Sequence, residues 1–470
     1  AESAVMAAIL QAPSYYSPWG THRDELMQRK NYVLGEMRKL GFIDKEEEQR
    51  ALNKELVFSE QNIGSIKAPH FTMMVREYLI NKYGEDMVEK GGLKVITTID
   101  LDLQQKAEAS VEEGAQRNTE SYNGRNAALV AEDPKTGQIL ALVGSKNYSA
   151  PSEPEGCESG VGCQFEGNFN VASQGLRQPG SSFKPFAYIT AFEEGYTPNT
   201  IVFDVPTEFS TYADVCPIIN INFDDENDQC FHPENFDHIF RGPTDLRNAL
   251  AQSINVPSVK VLYLAGLTNT IQTAQKLGIT TLNDLSRFGL SLVLGGGEVK
   301  LTELVGAYSV FAQDGAKNNQ TFILGVKDSK NKVLEKYENK PEQIIEPQYA
   351  RMINNILSDA EARSPLFQNS LNLTIFPDRD VALKTGTTND YKDAWTIGYT
   401  PSLVVGVWAG NNNNQPMQKQ AGSILAAVPI WHDFIGKAME NQVIEFFNKP
   451  EEIIRNKPIL DGSYEINNDV

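Results

Sequence analysis

The sequence lacks a long apolar segment and has few basic residues and histidines, and each shortage narrows the functions open to the chain. No apolar run reaches about 18 residues, the length that a membrane-spanning helix needs, and no charged-then-apolar secretory signal opens the sequence. Acidic residues outnumber basic ones by 61 to 42, giving a formal net charge of -19, which disfavours a nucleic-acid surface. With 470 residues, 41% of them hydrophobic, the chain can form two or three globular domains.

The beginning of the sequence predicts a helix that is already under way. The first residues, AESAVMAAILQAP, are typical of the middle of a helix. We therefore expect the chain to be part of a longer protein whose targeting or anchoring segment lies upstream.

The four cysteines fall into two pairs that are close in sequence, Cys157 with Cys163 and Cys216 with Cys230. Two local disulfide bonds in an oxidising compartment would fit this spacing. Four free thiols are an open alternative, whereas zinc is disfavoured because there is no Cys-x-x-Cys and only His232 lies near. The acidic run at 224–228 lacks the ordered spacing of a calcium loop, and we interpret it as a solvated charged face.

Hydrophobic periodicity divides the chain into a helical start and a mixed remainder. Within the first 60 residues, one helical stripe ends at Gly41 and contains Leu26, Val33, Leu34, Met37 and Leu40. After a mixed segment to about residue 92, AALVAEDPKTGQILALVGS predicts two strands joined by a turn. Helical patterns dominate from Ser181 to about residue 312, and strand patterns return in DVALKTGTTND and AWTIGYTPSLVVGVWAG. A sheet built from both ends with helices between predicts an α/β (α+β) domain with a helical subdomain.

A first chemical motif is QPGSSFKPF at residues 178–186. If this stretch opens a helix, Ser181 and Lys184 lie one turn apart, whereas Ser182 has Pro185 at the same spacing. Lysine can accept a serine proton when burial and nearby cations lower its pKa, and the helix N-terminus favours an oxyanion. None of the five histidines lies in a Ser/His/Asp pattern. The alternative is an ordinary helix start, and a chance Ser-x-x-Lys also occurs at 329–332.

A second motif is Ser253-Ile254-Asn255. Ser253 continues the stripe of a predicted helix that includes Leu246 and Leu250. A hydroxyl and an amide at this position are suited to relay a proton and to hold a substrate amide. The alternative is an ordinary polar helix C-terminus, since Ser-x-Asn also occurs at 121–123 and 370–372.

A third motif is Lys384, Thr385, Gly386 and Thr387 in ALKTGTTND. Gly386 within a strand predicts the close approach of another backbone, and the lysine and threonines are suited to grip a carboxylate. In a strand, Lys384 and the two threonines point to opposite faces. They can therefore line one pocket only if the edge of the strand borders it. A bound peptide could then pair with this edge as an additional strand. A second Lys-Thr-Gly, at 135–137, is explained by a hairpin turn.

The order of the three motifs resembles that of β-lactamases and penicillin-binding proteins, with Ile254 where the second motif usually has Asp. The resemblance extends to four longer segments, RQPGSSFKPF, NFDHIFRGPTDLRNALAQSINVPSVKVL, LVLGGGEVKLTELVGAYSVFAQDG and ALKTGTTNDYKDAWTIGYTPSLVVGVWAGN. They resemble the transpeptidase domain of class A penicillin-binding proteins over residues 93–440. Residues 1–60 resemble the C-terminal end of that family's glycosyltransferase domain.

The resemblance implies a domain organisation and a fold. Residues 1–60 would be a helical glycosyltransferase remnant, 61–92 an interdomain linker region, and 93–470 the penicillin-binding domain, an antiparallel sheet flanked by helices. The catalytic glutamate of the glycosyltransferase would lie upstream, in a bifunctional parent. The parent would be extracytoplasmic, anchored by an N-terminal transmembrane helix absent from this chain.

The resemblance also implies a mechanism, in which Ser181 attacks the carbonyl between the last two D-alanines of a peptidoglycan stem peptide. Lys184 would accept its proton, and the backbone N–H groups of Ser181 and Thr387 would hold the oxyanion. Ser253 and Lys384 would then pass a proton to the leaving amine.

The remaining motif residues would bind substrate. Asn255 would orient the acyl chain, Thr385 and Thr387 would bind the terminal carboxylate, and Gly386 would belong to the same substrate-binding strand. A second stem peptide would take the acyl group, a β-lactam would trap Ser181, and neither metal nor cofactor is implied. A D,D-carboxypeptidase, a β-lactamase-type hydrolase and a non-catalytic β-lactam- or peptidoglycan-binding module are the alternatives.

Overall fold

The structure is a computed structural model that describes residues 1–12, 15–18, 22–58, 66–212, 214–223, 227, 229–418, 421–440 and 442–464. The described chain divides into two compact units, Ala1–Lys67 and Ala68–Val470. None of the described helices combines the length and the apolar character that crossing a membrane requires. The acidic residues at 224–226 and 228, interpreted from the sequence as a solvated face, lie outside the described residues.

Among its described residues, the first unit contains the α-helices α1 (Glu2–Ile9), α2 (Arg23–Lys39) and α3 (Lys45–Asn53). Leu26 and Leu34 of the predicted stripe are buried, but Leu40 is 70% exposed. The helix ends before Leu40, and Gly41 follows with a positive φ of 77°, as a helix C-terminus favours. The prediction of a stripe ended by Gly41 is therefore right except at Leu40.

The second unit is a mixed α/β structure. Its strands are β1 (Lys94–Thr97), β2 (Asn126–Asp133), β3 (Gln138–Val143), β4 (Ile201–Asp204), β5 (Gly242–Asp245), β6 (Ala316–Lys317), β7 (Ile323–Lys327), β8 (Val333–Lys336), β9 (Glu342–Gln343), β10 (Ala382–Thr387), β11 (Asp393–Thr400) and β12 (Leu403–Gly410). Its helices are α4 (Pro69–Tyr83), α5 (Glu85–Lys90), α6 (Leu101–Tyr122), α7 (Val171–Gln174), α8 (Lys184–Glu193), α9 (Leu246–Ala251), α10 (Asn255–Ala265), α11 (Leu267–Leu277), α12 (Leu301–Ala312), α13 (Pro347–Leu357), α14 (Ala360–Phe367), α15 (Leu371–Thr374), α16 (Ser423–Ala426) and α17 (Val428–Met439).

The main sheet joins strands from both ends of the unit, in the antiparallel order β10-β11-β12-β2-β3. Every residue of β11 and β12 is buried, because α6 and α17 cover one face and α12 covers the other. Val405 and Val407 therefore pack with Phe434 of α17, whereas Val404 and Trp408 join the core that contains α12. The predicted antiparallel sheet flanked by helices is confirmed, and it leaves β10 at an edge.

The helical subdomain packs against α8. Residues Lys184–Phe192 of α8 are all buried, and α10, α11 and α13 surround them. One part of the predicted helical region is different, because residues 205–241 contain neither a helix nor a strand among their described positions. This segment is a long loop, here called the 205–241 excursion, that connects the antiparallel pair β4 and β5. The sequence pattern predicted helices for this region and did not indicate the loop.

Both predicted disulfide bonds form, so the alternative of four free thiols is wrong. The Cα atoms of Cys157 and Cys163 are 5.2 Å apart, and those of Cys216 and Cys230 are 5.4 Å apart. The second bond lies within the 205–241 excursion and closes it into a loop.

Candidate active site

The two serines of the first motif have different surroundings. They lie in a 3-10 turn, Gly180–Phe183, that leads directly into α8, rather than in the first turn of an α-helix as predicted. Ser182 is fully buried, and its Oγ donates to the carbonyl of Pro179 at 2.6 Å. Ser181 is half-buried, and its Oγ makes no hydrogen bond in the part of the chain that the structure describes. Only Ser181 thus keeps an unengaged hydroxyl.

Two aromatic side chains hold this turn from the core. The hydroxyl of Tyr308 donates to the carbonyl of Ser182 at 2.7 Å, and the indole Nε1 of Trp395 donates to the carbonyl of Gln178 at 2.8 Å. Both aromatic residues are buried; the bond to Ser182 is buried with them, whereas Gln178 is exposed. Sequence analysis missed both, because nothing in their local sequence distinguishes them from other core aromatic residues.

The edge strand β10 runs directly beside the turn, as predicted for Gly386. A Cβ added to Gly386 would lie 2.1 Å from the carbonyl oxygen of Pro179 and 3.0 Å from the amide nitrogen of Ser182. Gly180 has a positive φ of 54°, and a Cβ there would lie 2.7 Å from the carbonyl oxygen of Thr387. Backbone meets backbone here without room for a side chain.

Lys184 is buried at the first position of α8. Its Nζ donates to the carbonyl of Ser253 at 2.6 Å and to Oδ1 of Asn255 at 2.8 Å, and it lies 3.3 Å from Oγ of Ser253. No hydrogen bond joins Lys184 to the hydroxyl of Ser181 among the described residues. A neutral amine has two N–H donors and one lone pair; the two short contacts use the donors, and the carbonyl of Ile254 also lies 3.3 Å from this nitrogen.

Ser253 occupies the three-residue link between α9 and α10, not the inner stripe of a helix as predicted. Its φ of 59° is in the left-handed region, which costs a non-glycine residue about 1 to 3 kcal/mol. Its Oγ accepts a hydrogen bond from Nζ of Lys384 at 2.8 Å. This backbone turn therefore brings one hydroxyl between two lysines.

Asn255 is the first residue of α10, and both ends of its side-chain amide are engaged. Oδ1 accepts from Lys184, and Nδ2 donates to the carbonyl of Glu234 at 2.7 Å. The backbone N–H of Asn255 donates to Oδ1 of Asn235 at 3.0 Å. The disulfide-closed excursion at 205–241 thus fixes the orientation of Asn255, a link that sequence reasoning did not find.

The residues of the third motif divide between two environments. Nζ of Lys384 also donates to the carbonyl of Thr385 at 2.9 Å, and the hydroxyl of Thr385 makes no hydrogen bond in the described chain. The hydroxyl of Thr387 instead accepts from the backbone N–H of Ser423 at 3.0 Å. The hydrogen-bonded cluster therefore consists of Lys184, Ser253, Asn255 and Lys384, and it does not include Ser181, Thr385 or Thr387 through their side chains.

Burial and mutual repulsion set the charge of the two lysines. Burial, and then the nearby Lys384, hold the pKa of Lys184 well below its ordinary range. Burial, and then the charge of Arg363, lower the pKa of Lys384 to about 7. Since two buried ammonium groups on either side of one hydroxyl repel each other, the arrangement favours a neutral Lys184 beside a charged Lys384. Burial and a neighbouring cation are the two causes that the sequence analysis named for a lysine that accepts a proton.

Two backbone N–H groups are free near the Ser181 hydroxyl. The N–H of Thr388 donates to the carbonyl of Asp393 in β11, and alternation along a strand then directs the N–H of Thr387 away from the sheet, over its open edge. The N–H of Ser181 has no backbone acceptor among the described residues, as is usual in the first turn of a helix. Both groups are of the kind that can stabilise an oxyanion.

The described residues offer no ready metal site. Glu208, Cys216 and Cys230 are the described residues close enough to share an ion. The two sulfur atoms are joined in a disulfide bond, so they are not thiolate ligands.

Comparison with known proteins gives one consistent family. The penicillin binding protein transpeptidase domain matches residues 127–435. Penicillin-binding protein 1A of Aquifex aeolicus is 29% identical over 96% of this chain and 68% of its own length. Penicillin-binding protein 2D of Bacillus subtilis is 28% identical over 96% of this chain and 61% of its own. The chain thus spans roughly two thirds of the length of these relatives.

Solved structures share the fold. Penicillin-binding protein 1A of Haemophilus influenzae has a TM-score of 0.67 at 21% identity, over 99% of this chain and 84% of its own. The PonA1 protein of Mycobacterium tuberculosis in complex with penicillin V has a TM-score of 0.65 at 25% identity, over 82% of this chain and 97% of its own. The chain belongs to the penicillin-binding proteins with a transpeptidase domain, and its predicted membership of class A is confirmed.

Proposed function

We propose that this chain is a serine D,D-transpeptidase that cross-links peptidoglycan stem peptides through an acyl-enzyme on Ser181. The observation that carries the proposal is the buried chain of hydrogen bonds from Lys184 through Ser253 to Lys384, next to the unengaged hydroxyl of Ser181. A serine hydroxyl needs an adjacent proton acceptor to attack a carbonyl. A lysine kept neutral by burial and a neighbouring cation is suited to that task.

Acylation begins when Ser181 Oγ attacks the carbonyl between the last two D-alanines. The proton of the hydroxyl goes to the lone pair of Lys184, which becomes an ammonium. Asn255 and the carbonyl of Ser253 already hold this nitrogen by two hydrogen bonds, so its position is fixed before substrate binds. The apo separation of Ser181 and Lys184 does not oppose this role, because catalytic hydrogen bonds often tighten only with substrate bound.

The negative charge that develops on the carbonyl oxygen is stabilised by the backbone N–H groups of Ser181 and Thr387. One such donor contributes about 2.7 to 4 kcal/mol to transition-state stabilisation. Tyr308 and Trp395 hold the turn that positions the first donor. The close contact at Gly386 keeps the second donor next to it.

Collapse of the tetrahedral intermediate breaks the C–N bond and releases D-alanine. The leaving nitrogen takes a proton from the hydroxyl of Ser253, which is replenished from Lys184, while the charged Lys384 holds that hydroxyl. The amino group of a second stem peptide then attacks the acyl-enzyme by the reverse of these steps. Its attack forms the cross-link and frees Ser181.

The carboxylate of the donor peptide would lie against Lys384, Thr385 and Thr387, and Gly386 would let the peptide approach the edge of β10. A β-lactam that enters the same site would acylate Ser181 and remain there. The full-length protein would also contain a glycosyltransferase domain and an N-terminal membrane anchor, and its active site would lie outside the cytoplasm. The two disulfide bonds support an oxidising, extracytoplasmic location.

The function is tested with a donor stem peptide that ends in D-Ala-D-Ala and a second peptide with a free amino group as the acceptor. Mass spectrometry should detect the cross-linked product and released D-alanine with the parent chain, and neither with Ser181→Ala. Release of D-alanine with only hydrolysed donor would replace the proposal by a D,D-carboxypeptidase. Absence of both products, with a folded chain that still binds the donor, would replace it by a binding module.

A further inference from the structure

Arg363, on helix α14, is a buried basic residue without a direct ion pair in the described chain. Its exposed fraction is 4%, its Nε has no acceptor, and its side chain makes no hydrogen bond or ion pair in the described chain. Asp359 is close enough to attract it, but the oxygens of Asp359 already bind the N–H of Ala362 and Nη1 of Arg247. A largely buried cation without a paired carboxylate favours the binding of an anion.

A second buried arginine shows how this fold normally treats such a group. Arg177 is also buried, but its guanidinium donates to the carbonyl of Asn412 and to Oδ1 of Asn414, and it lies over the ring of Trp408. Of the two buried arginines in the described chain, Arg177 is thus paired and Arg363 is not.

Arg363 lines a small cavity that also touches the predicted active site. Lys384 and Thr385 line the same cavity, whose volume is about 10 Å³, room for about one water molecule. No aspartate or glutamate lines it. The hydroxyl of Thr385 has no partner in the described chain, and the Lys384 ammonium has two described acceptors for its three N–H donors. Three residues with unused donors, two of them basic, thus line one cavity.

We propose that this cavity is a binding site for one small anionic group, held by Arg363, Thr385 and Lys384. Two sources have this chemistry. One is a free monovalent anion such as chloride, which is close to a water molecule in size. The other is the tip of the carboxylate of the acyl donor, and this source rests on the function proposed above.

An anion at this position would also alter the reactive centre. The charge of Arg363 is one of the causes that lower the pKa of Lys384. An anion next to Arg363 offsets that charge, so it favours the protonated form of Lys384. The site would thereby couple anion binding to the group that holds the hydroxyl of Ser253.

Thermal unfolding tests the free anion without any substrate. Sodium chloride replaces sodium gluconate at constant ionic strength, for the parent chain, Arg363→Met and Arg351→Met. The control loses an arginine whose Nε donates to Asp314 at 2.8 Å, so it removes a paired arginine by the same substitution. The melting temperature of the parent and of Arg351→Met should rise with chloride to a plateau, and that of Arg363→Met should not.

The rate of acylation by penicillin, compared with that by its methyl ester in chloride-free buffer, tests the substrate carboxylate. If Arg363 binds the carboxylate, the preference of the parent for penicillin over the ester should fall about 10- to 100-fold in Arg363→Met. Arg363→Lys, which keeps the charge and loses the planar fork, should lose part of that preference. This variant also serves if the methionine variant does not fold.

The outcomes separate the two sources and the two proposals. If chloride stabilises the unsubstituted chain but Arg363→Met keeps the preference for penicillin over its ester, the site binds a free anion. If chloride has no effect but Arg363→Met loses that preference, the site binds the carboxylate of the substrate. If penicillin does not acylate the parent at all, the proposed function fails, and the chloride measurement still decides the anion site. A parent that chloride does not stabilise, and whose preference matches that of Arg363→Met, overturns the anion site.

Discussion

Adding one methyl group at Gly386 should impair acylation far more than it impairs folding. The strand residue has no positive φ, so Gly386→Ala creates no backbone strain of its own. The new Cβ would lie 2.1 Å from the carbonyl oxygen of Pro179. That oxygen accepts the N–H and the Oγ of Ser182, so it cannot move without moving the turn that carries Ser181.

The size of the effect follows from this distance. An ordinary contact begins at 3.4 Å, so β10 and the turn must separate by more than about 1 Å. A displacement of about 1 Å between reacting groups can cost about 100-fold in rate, and here it also separates the two oxyanion donors. Overpacking of this kind destabilises a fold by about 1 to 3 kcal/mol, which a domain with so large a core can sustain.

The assay is the second-order rate of acylation by a fluorescent penicillin, with urea unfolding measured on the same samples. Gly436→Ala is the control, because Gly436 is exposed on α17 and a Cβ there meets nothing within 4 Å. We expect about a 100-fold loss of rate for Gly386→Ala and an unchanged rate for Gly436→Ala. A folded Gly386→Ala that acylates within about threefold of the parent rate would refute the reasoning.

Three further predictions concern the buried glutamate, the charged lysine and the second disulfide bond. Burial raises the pKa of Glu132 from 4.5 to about 7, so the free energy of unfolding should fall as pH rises through this interval. Urea unfolding measures this effect: the free energy of unfolding of Glu132→Gln, relative to that of the unsubstituted chain, should increase by about 2 to 3 kcal/mol from about pH 5 to pH 8. If the free energies of unfolding of the two proteins change in parallel with pH, the prediction is wrong. The rate of acylation by penicillin should decline above about pH 7, where Lys384 loses its proton. Lys384→Arg stays charged, so any acylation that this variant retains should not decline over the same pH range. If the decline is also seen in Lys384→Arg, Lys384 is not its cause. Replacing Cys216 and Cys230 by serine should lower the free energy of unfolding by about 3 kcal/mol in the chain-entropy model, and equal stability with and without the bond would contradict it.

Much of the fold could be predicted because its signals are local. The strands of the main sheet carry β-branched runs next to clear turns, so their position at both ends of the domain was evident. The edge position of β10 followed from the need for Lys384 and Thr385 to serve one site from opposite faces of a strand. The separation of Ser181 from Ser182 also followed from helical spacing, since only Ser181 has a lysine three residues on.

The parts that could not be predicted depend on contacts between distant segments. Tyr308 binds the carbonyl of Ser182 across 126 residues, and nothing near Tyr308 announces that partner. The position of Ser253 outside the helix depends on a left-handed backbone that a serine rarely adopts. Arg363 is conspicuous only when the side chains around it are known, because a charged residue on a short helix is usually exposed.

Identifying the residue that penicillin modifies tests the central claim most directly. The parent chain, Ser181→Ala and Ser182→Ala are incubated with penicillin, digested and analysed by peptide mass spectrometry. We predict a stable acyl group on Ser181 in the parent and in Ser182→Ala, and none in Ser181→Ala. An adduct that persists in Ser181→Ala and disappears in Ser182→Ala would contradict the assignment of the nucleophile and of the lysine chain behind it.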